Sequence, residues 1–266
     1  MTMTDDPFLA TDHGEVAPAV PPPGFDGSEQ EWNTRVDLAA CYRIIAHYGW
    51  DDLIATHISA RVPGEDDAFL INDFGLLFEE ITASSLVKVG LSGEVLGSVD
   101  RKVNPAGFTI HSAVYAVRDD VGAAIHLHTI DGMAVSTSAD GLLPLTQTAM
   151  TVCGDIAYHD FEGVALDLSE REHLQEHLGL KNLMILRHHG TMSVGDSIAT
   201  AFVRIYQLEK ACSAQVRALA TRSELATVDP AAVAKTSQPG GMGPFGTLAW
   251  PAVRRKVDRL DPSYRN

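Results

Sequence analysis

His126-Leu127-His128 and His188-His189-Gly190 are the residues of this chain whose types and spacing could do chemistry. The first motif ends a stretch from about 121 to 128 that reads as a strand. Residues two apart on a strand point to one side, so both imidazoles can reach one ion. With 11 histidines in 266 residues a random chain gives roughly half an HxH by chance, so the pair needs support. The second motif supplies it. It follows Leu183-Met184-Ile185-Leu186, an apolar run suited to a buried central strand, where a polar side chain needs a reason. In an extended chain His188 and His189 face opposite ways, so one should join the first pair and the other make a hydrogen bond; spacing leaves open which. Gly190 lets the backbone turn tightly beside a ligand. Three neutral imidazoles leave a divalent ion its charge and an open coordination position, the composition of a catalytic site. Such an ion polarises a carbonyl or hydroxyl oxygen and stabilises the enolate formed when a neighbouring carbon–carbon bond breaks.

Several elements must position these groups. Residues 1–27, with Pro21-Pro22-Pro23-Gly24, show no helical or strand period and read as a flexible arm. Ser28 and Glu31 form a capping box ahead of Trp32, Val36, Ala39, Ala40, Ile44 and Ile45, which predicts a helix to about Tyr48. HISARV, AFLIND and SLVKVG, separated by Pro63-Gly64, Gly75 and Ser92-Gly93, predict strands. Asn104-Pro105 predicts an N-cap and first helical residue, with a helix to about Arg118. A strand at 121–128, a helix from about 130, a strand near 153–158, a short helix near 169–178 and the strand at 183–186 follow. The spacing of Ile198, Ala201, Phe202, Ile205, Leu208, Ala211 and Val216 then predicts a helix to about Thr221. The domain is expected over 28–222. SQPGGMGPFG at 237–246 breaks regular structure, so 223–266 reads as an extended tail lying on the body or a neighbour.

Bulk composition narrows the function class. Lys+Arg 20 against Asp+Glu 35 gives a formal charge of -15, which repels a phosphate backbone and argues against nucleic acid. No apolar run approaches the roughly 18 residues of a membrane span, so no membrane role is expected. Cys41, Cys153 and Cys212 lie far apart and outside any CxxC arrangement, as expected of reduced thiols in a cytoplasm.

THISARV (56–62), FLINDFGLLFEEIT (69–82), VNPAGFTIHSAVYAVRDDVGAAIHLHT (103–129) and ILRHHG (185–190) closely resemble the class II aldolase/adducin family over about residues 30–220. The resemblance implies an α/β fold: a three-layer α/β/α sandwich on a mostly antiparallel sheet, usually a homotetramer with active sites between subunits. It also implies that His126, His128 and His189 hold the metal, commonly Zn2+, with Mn2+, Fe2+ or Co2+ as alternatives.

The chain departs from the sugar-phosphate aldolases of that family. Where they carry an acid/base glutamate, four residues before the position of His111, this chain has Gly107. The serines of their phosphate pocket correspond to Pro105 and Ala106, and its Thr-Gly turn to Phe74-Gly75. Hydroxyl donors for a phosphate are missing, which predicts an unphosphorylated and flatter or more apolar small molecule, with Asn72, Phe74, Gly75 and Gly107 at its pocket. His111 is the leading catalytic candidate, against hydrogen bonding in the core. Tyr158 aligns with an aromatic stretch of relatives and is the second, against packing between strands. Gln147 resembles a loop that relatives send toward the neighbouring metal, as a substrate-orienting amide or a turn residue. Arg61 and His57 take positions near the substrate phosphate or the interface in relatives; Arg61 binds a carboxylate bidentately or pairs with a surface acid.

The reading that follows is a metal-dependent lyase performing retro-aldol cleavage or decarboxylation of a small hydroxy, oxo or aromatic acid through a metal-bound enolate. A three-histidine iron oxygenase and a non-catalytic adducin-like assembly module are the alternatives.

Overall fold

The computed structural model describes residues 19–97, 100–163, 170–237 and 243–266. Its frame is an eight-stranded sheet of order β4-β3-β2-β1-β5-β8-β7-β6. The strands are β1 (His57–Val62), β2 (Glu65–Ile71), β3 (Val87–Gly90), β4 (Val95–Leu96), β5 (Ala123–Leu127), β6 (Ile156–His159), β7 (Leu183–Leu186) and β8 (Gly190–Gly195). Neighbours run antiparallel except β6 and β7, which are parallel.

Alternation along the central strands builds the layers. On one face Ile58, Ala60, Ile125, Leu127, Leu183 and Ile185 pack under α1 (Glu29–His47), α3 (Ile130–Ser136), α4 (Gln147–Cys153) and α6 (Ile198–Ala220). On the other, Phe69, Ile71, Ala124, Met184, Met192 and Val194 pack under α2 (Pro105–Tyr115) and α5 (Glu170–Leu178). This is the α/β/α sandwich that the resemblance implies.

The caps are where the sequence predicts them. Ser28 accepts the Glu31 amide at 3.0 Å, although the Glu31 side chain turns to Arg35 and Lys88 instead of closing the capping box. Asn104 accepts the Ala106 amide at 3.1 Å, with Pro105 first in the helix. Of the expected arm, residues 1–18 lie outside the described residues. The part that follows is packed: Phe25 stands edge-on to Trp32 at 5.0 Å and the Ala19 amide donates to Asn33 at 2.9 Å.

The expected extended tail is not what the described residues form. α7 (Pro230–Thr236) and α8 (Gly243–Leu260) are helices, and Trp250, Val257 and Tyr264 join the core beneath α1 and α6. The physical reason is spacing: Trp250, Val253 and Val257 form one helical stripe, which outweighs the glycines before it. Ion pairs fasten it, Arg254 to Asp37 and Arg43 to Asp261 at 2.7 Å.

Candidate metal centre

His126, on β5, and His128, just beyond it, meet the β7–β8 turn. Nε2 of His126 lies 3.0 Å from Nε2 of His128 and 3.3 Å from Nε2 of His189. The three are the one group among the described residues with metal-ligand geometry, their ligand atoms all within 4.8 Å of one another. The turn decides which of the paired histidines takes part. Leu186 pairs with Gly190 across a three-residue loop in which His188 adopts a left-handed φ of 57°. Such a loop reverses the chain, leaving His188 exposed and carrying His189 inward. A Cβ on Gly190 would lie 2.4 Å from the Leu127 carbonyl and 3.0 Å from the His128 ring, so this glycine serves close approach of strands; the positive φ falls on His188.

Acceptor-only partners fix the tautomers. Nδ1 of His126 is 3.0 Å from the Thr191 carbonyl, and Nδ1 of His128 is 3.0 Å from an Asp52 carboxylate oxygen. Each Nδ1 therefore carries a hydrogen, and the facing Nε2 atoms are the ones whose lone pairs can serve a cation. Lone pairs 3.0 Å apart repel unless a cation sits between them. Burial, reinforced by the neighbouring rings, holds His126 well below the usual histidine range and brings His189 down to about 4, so both rings are neutral near pH 7. The donor set fits a divalent cation with an open position.

Below the histidines lies a carboxylate with no sequence motif. Glu209 of α6, 1% exposed, accepts the hydroxyls of Thr129 and Thr191 on its two oxygens. It thereby ties the end of β5 to the start of β8, the segments that carry the ligands. Its signal in the sequence is phase: Ala201, Ile205, Leu208 and Cys212 mark the inward face of α6 and Glu209 falls among them. Asp52 had no comparable signal, because the pairing exists only once the loop before β1 folds onto β5.

The other expected site residues are distributed unevenly. Gly107 packs against the ring of His57, which itself lies 5.0 Å from the His126 ring. His111 is buried and reaches the centre only through His57, whose Nδ1 lies 2.8 Å from His111 Nε2. Arg61 is neither a substrate clamp nor a surface ion pair: at the other end of β1 it donates to the carbonyls of Val121, Asp66, Tyr115 and Arg118, at 2.9, 2.7, 2.6 and 3.3 Å. The Tyr158 hydroxyl accepts the Leu142 amide at 3.0 Å and its ring lies under Arg187, a structural use of both. Asn72 is buried against Tyr42, whose hydroxyl is 2.9 Å from its Oδ1, so it is not open to a ligand. Phe74 and Gly75 form a turn, with the Phe74 amide committed to the Lys102 carbonyl at 2.8 Å. Gln147 is exposed at the start of α4.

Comparison with known proteins identifies the family. A model of the class II aldolase and adducin N-terminal domain matches residues 36–216. A Caulobacter vibrioides protein named for aldolase class 2 is 52% identical over 240 residues, covering 89% of this chain and 93% of that protein. Alpha-adducin of Mus musculus is 47% identical over 236 residues, 85% of this chain but 32% of adducin's length. The structure of an L-fuculose 1-phosphate aldolase from Glaciozyma antarctica superposes with a TM-score of 0.80 at 31% identity, over 92% of this chain and 97% of that one. By matched domain, extended identity and shared fold, the chain belongs to the class II aldolase and adducin family.

Proposed function

We propose that the chain is a divalent-metal-dependent carbon–carbon lyase acting on a small, unphosphorylated hydroxy or oxo acid, aromatic acids included. The observation that carries this reading is the convergence of three Nε2 atoms with the hydrogens of His126 and His128 fixed on the far ring nitrogens. A cation held there, Zn2+ by the donor set, supplies a Lewis acid for a carbonyl or hydroxyl oxygen.

The chain's own residues shape the choice of substrate. Gly107, Pro105 and Ala106 offer no side-chain donor or carboxylate, and the Phe74 amide is already spent on Lys102. A terminal phosphate, which needs several converging donors, finds none of these. Without a carboxylate at Gly107, decarboxylation is favoured over aldol cleavage, because it needs no base to remove a hydroxyl proton. A homotetramer with the centre at a subunit boundary accounts for the exposed Leu53 and Ile130, at 71% and 78%, beside Asp52 and His128. The unpaired cysteines suit a reducing cytoplasm.

The test is metal analysis of protein purified without added metal, followed by assays for aldehyde or CO2 release from matched acids with and without phosphate. One equivalent of metal and chelator-sensitive turnover of an unphosphorylated acid are expected. Tight binding that requires the phosphate would overturn the substrate assignment. Bound iron with oxygen consumption would assign an oxygenase instead.

A further inference from the structure

The lyase reading leaves one buried chain of hydrogen bonds without a use. It starts at Tyr115, whose hydroxyl lies 2.8 Å from Ser59 Oγ; Ser59 Oγ contacts His111 Nδ1; and His111 Nε2 lies 2.8 Å from His57 Nδ1. All four residues are 1% exposed or less, so each hydrogen must find its acceptor inside the protein.

That requirement gives the chain a direction. Ser59 Oγ is the one hydrogen-bond partner of the Tyr115 phenol oxygen among the described residues, so the buried phenol hydrogen goes to Ser59. Ser59 then gives its own hydrogen to His111 Nδ1. A neutral His111 accepting at Nδ1 carries its hydrogen on Nε2 and donates it to His57 Nδ1. A neutral His57 accepting at Nδ1 carries its hydrogen on Nε2. The far end of the relay thus dictates what His57 presents at its free nitrogen: a donor and no lone pair.

His57 stands where such a donor can act. It pairs directly with His126 across β1 and β5, and the two rings lie 5.0 Å apart at 34°. Nδ1 is the His57 ring nitrogen that is hydrogen-bonded; Nε2 has no hydrogen-bond partner among the described residues, and Gly107 packs beside it, where a Cβ would lie 3.2 Å away.

Resting on the lyase reading, we propose that His57 is a catalytic residue, locked as the Nε2–H tautomer, which donates a hydrogen bond to the substrate oxygen where negative charge develops. A fixed donor in a water-poor site stabilises that charge without reorganising during the reaction.

The test begins with the full chain labelled with 15N-histidine, because two-bond proton–nitrogen correlations distinguish the tautomers. His57 is expected as Nε2–H both before and after Zn2+ addition. Ser59→Ala, which removes the middle of the relay, should leave a mixture of tautomers. An Nδ1–H form in the wild type, loss of the Nε2 hydrogen on adding Zn2+, or an unaltered tautomer in Ser59→Ala overturns the assignment. Glycolate binding to the Co2+-loaded protein, followed by visible absorption, gives a second readout. His57→Phe should weaken glycolate by about 10-fold, the value of a hydrogen bond to a charged group, with Co2+ affinity unchanged, and His57→Gln should restore most of the loss. A parallel loss of Co2+ affinity in His57→Phe would make His57 a ligand and overturn its role as donor. A wild-type chain that binds neither metal overturns the lyase reading and this role with it, whereas a wrong tautomer in a metal-binding chain overturns the donor alone.

Discussion

Gly107 and His57 share one volume: a Cβ built on Gly107 would lie 2.7 Å from Cδ2 and 2.9 Å from Cγ of His57. The His57 ring cannot retreat freely, because His111 holds its Nδ1. Gly107→Ala is therefore expected to cost about 1–3 kcal/mol by overpacking, even though alanine is the better helix former. In the double variant with His57→Ala most of that cost should vanish, since the two residues are in contact and their effects do not add. Urea unfolding of the four proteins in the cycle measures the coupling, and strict additivity would show that the two side chains do not compete for space.

Asp52 acts on the metal through His128. Its carboxylate is half exposed, so removing it leaves little buried surface unsatisfied, yet it orients the ring and raises its basicity. Asp52→Ala is expected to weaken Zn2+ about 10- to 100-fold while moving stability by no more than about 0.5 kcal/mol. Competition against a chromophoric chelator reads the first quantity and thermal unfolding of the metal-free protein the second.

Arg61 is expected to behave oppositely. Its guanidinium satisfies carbonyls from the start of β2, from the end of α2 and from the loop leading to β5. Arg61→Ala should therefore lower stability by about 1–3 kcal/mol, through the acceptors left without a partner, and leave Zn2+ affinity unchanged. Lysine, a point donor without the fork, should recover only part of the loss. An effect on metal binding or turnover at constant stability would return Arg61 to the site.

The pattern of success in the sequence follows from which forces are local. Caps such as Ser28 and Asn104, and the alternation of HISARV, act within a few residues, and the elements stand where these signals put them. β8 was not legible because Gly190–Gly195 is buried at every position and has no alternation to read. α8 was obscured by the glycines at its start. At the site, HxH geometry could be read from strand periodicity, but the choice of His189 over His188 depends on a left-handed φ in a tight hairpin. Asp52, Glu209 and the relay behind His57 join residues far apart in sequence, and only the packed sheet brings them together.

Glu209 gives the sharpest dependence on pH. Burial pushes its carboxyl from 4.5 up to about 7, against the lowering effect of the Thr129 and Thr191 hydroxyls. Between those values the folded chain holds a proton that the unfolded chain has released, so this group makes stability fall as pH rises from 4.5 to about 7 and adds no slope above that. The total is on the order of 3 kcal/mol. Buried histidines pull the other way: desolvation lowers His111 to about 3 and His189, with help from His128, to about 4. The unfolded chain takes up protons below about 6.5 that these rings refuse, and stability falls as pH drops. Metal-free protein should therefore be acid-labile overall, with Glu209 blunting the slope. In Glu209→Gln that blunting is removed. Its urea midpoint relative to wild type should rise steadily from pH 5 to 7 and level off above, whereas a difference independent of pH would mean that Glu209 is already ionised in the folded protein at pH 5.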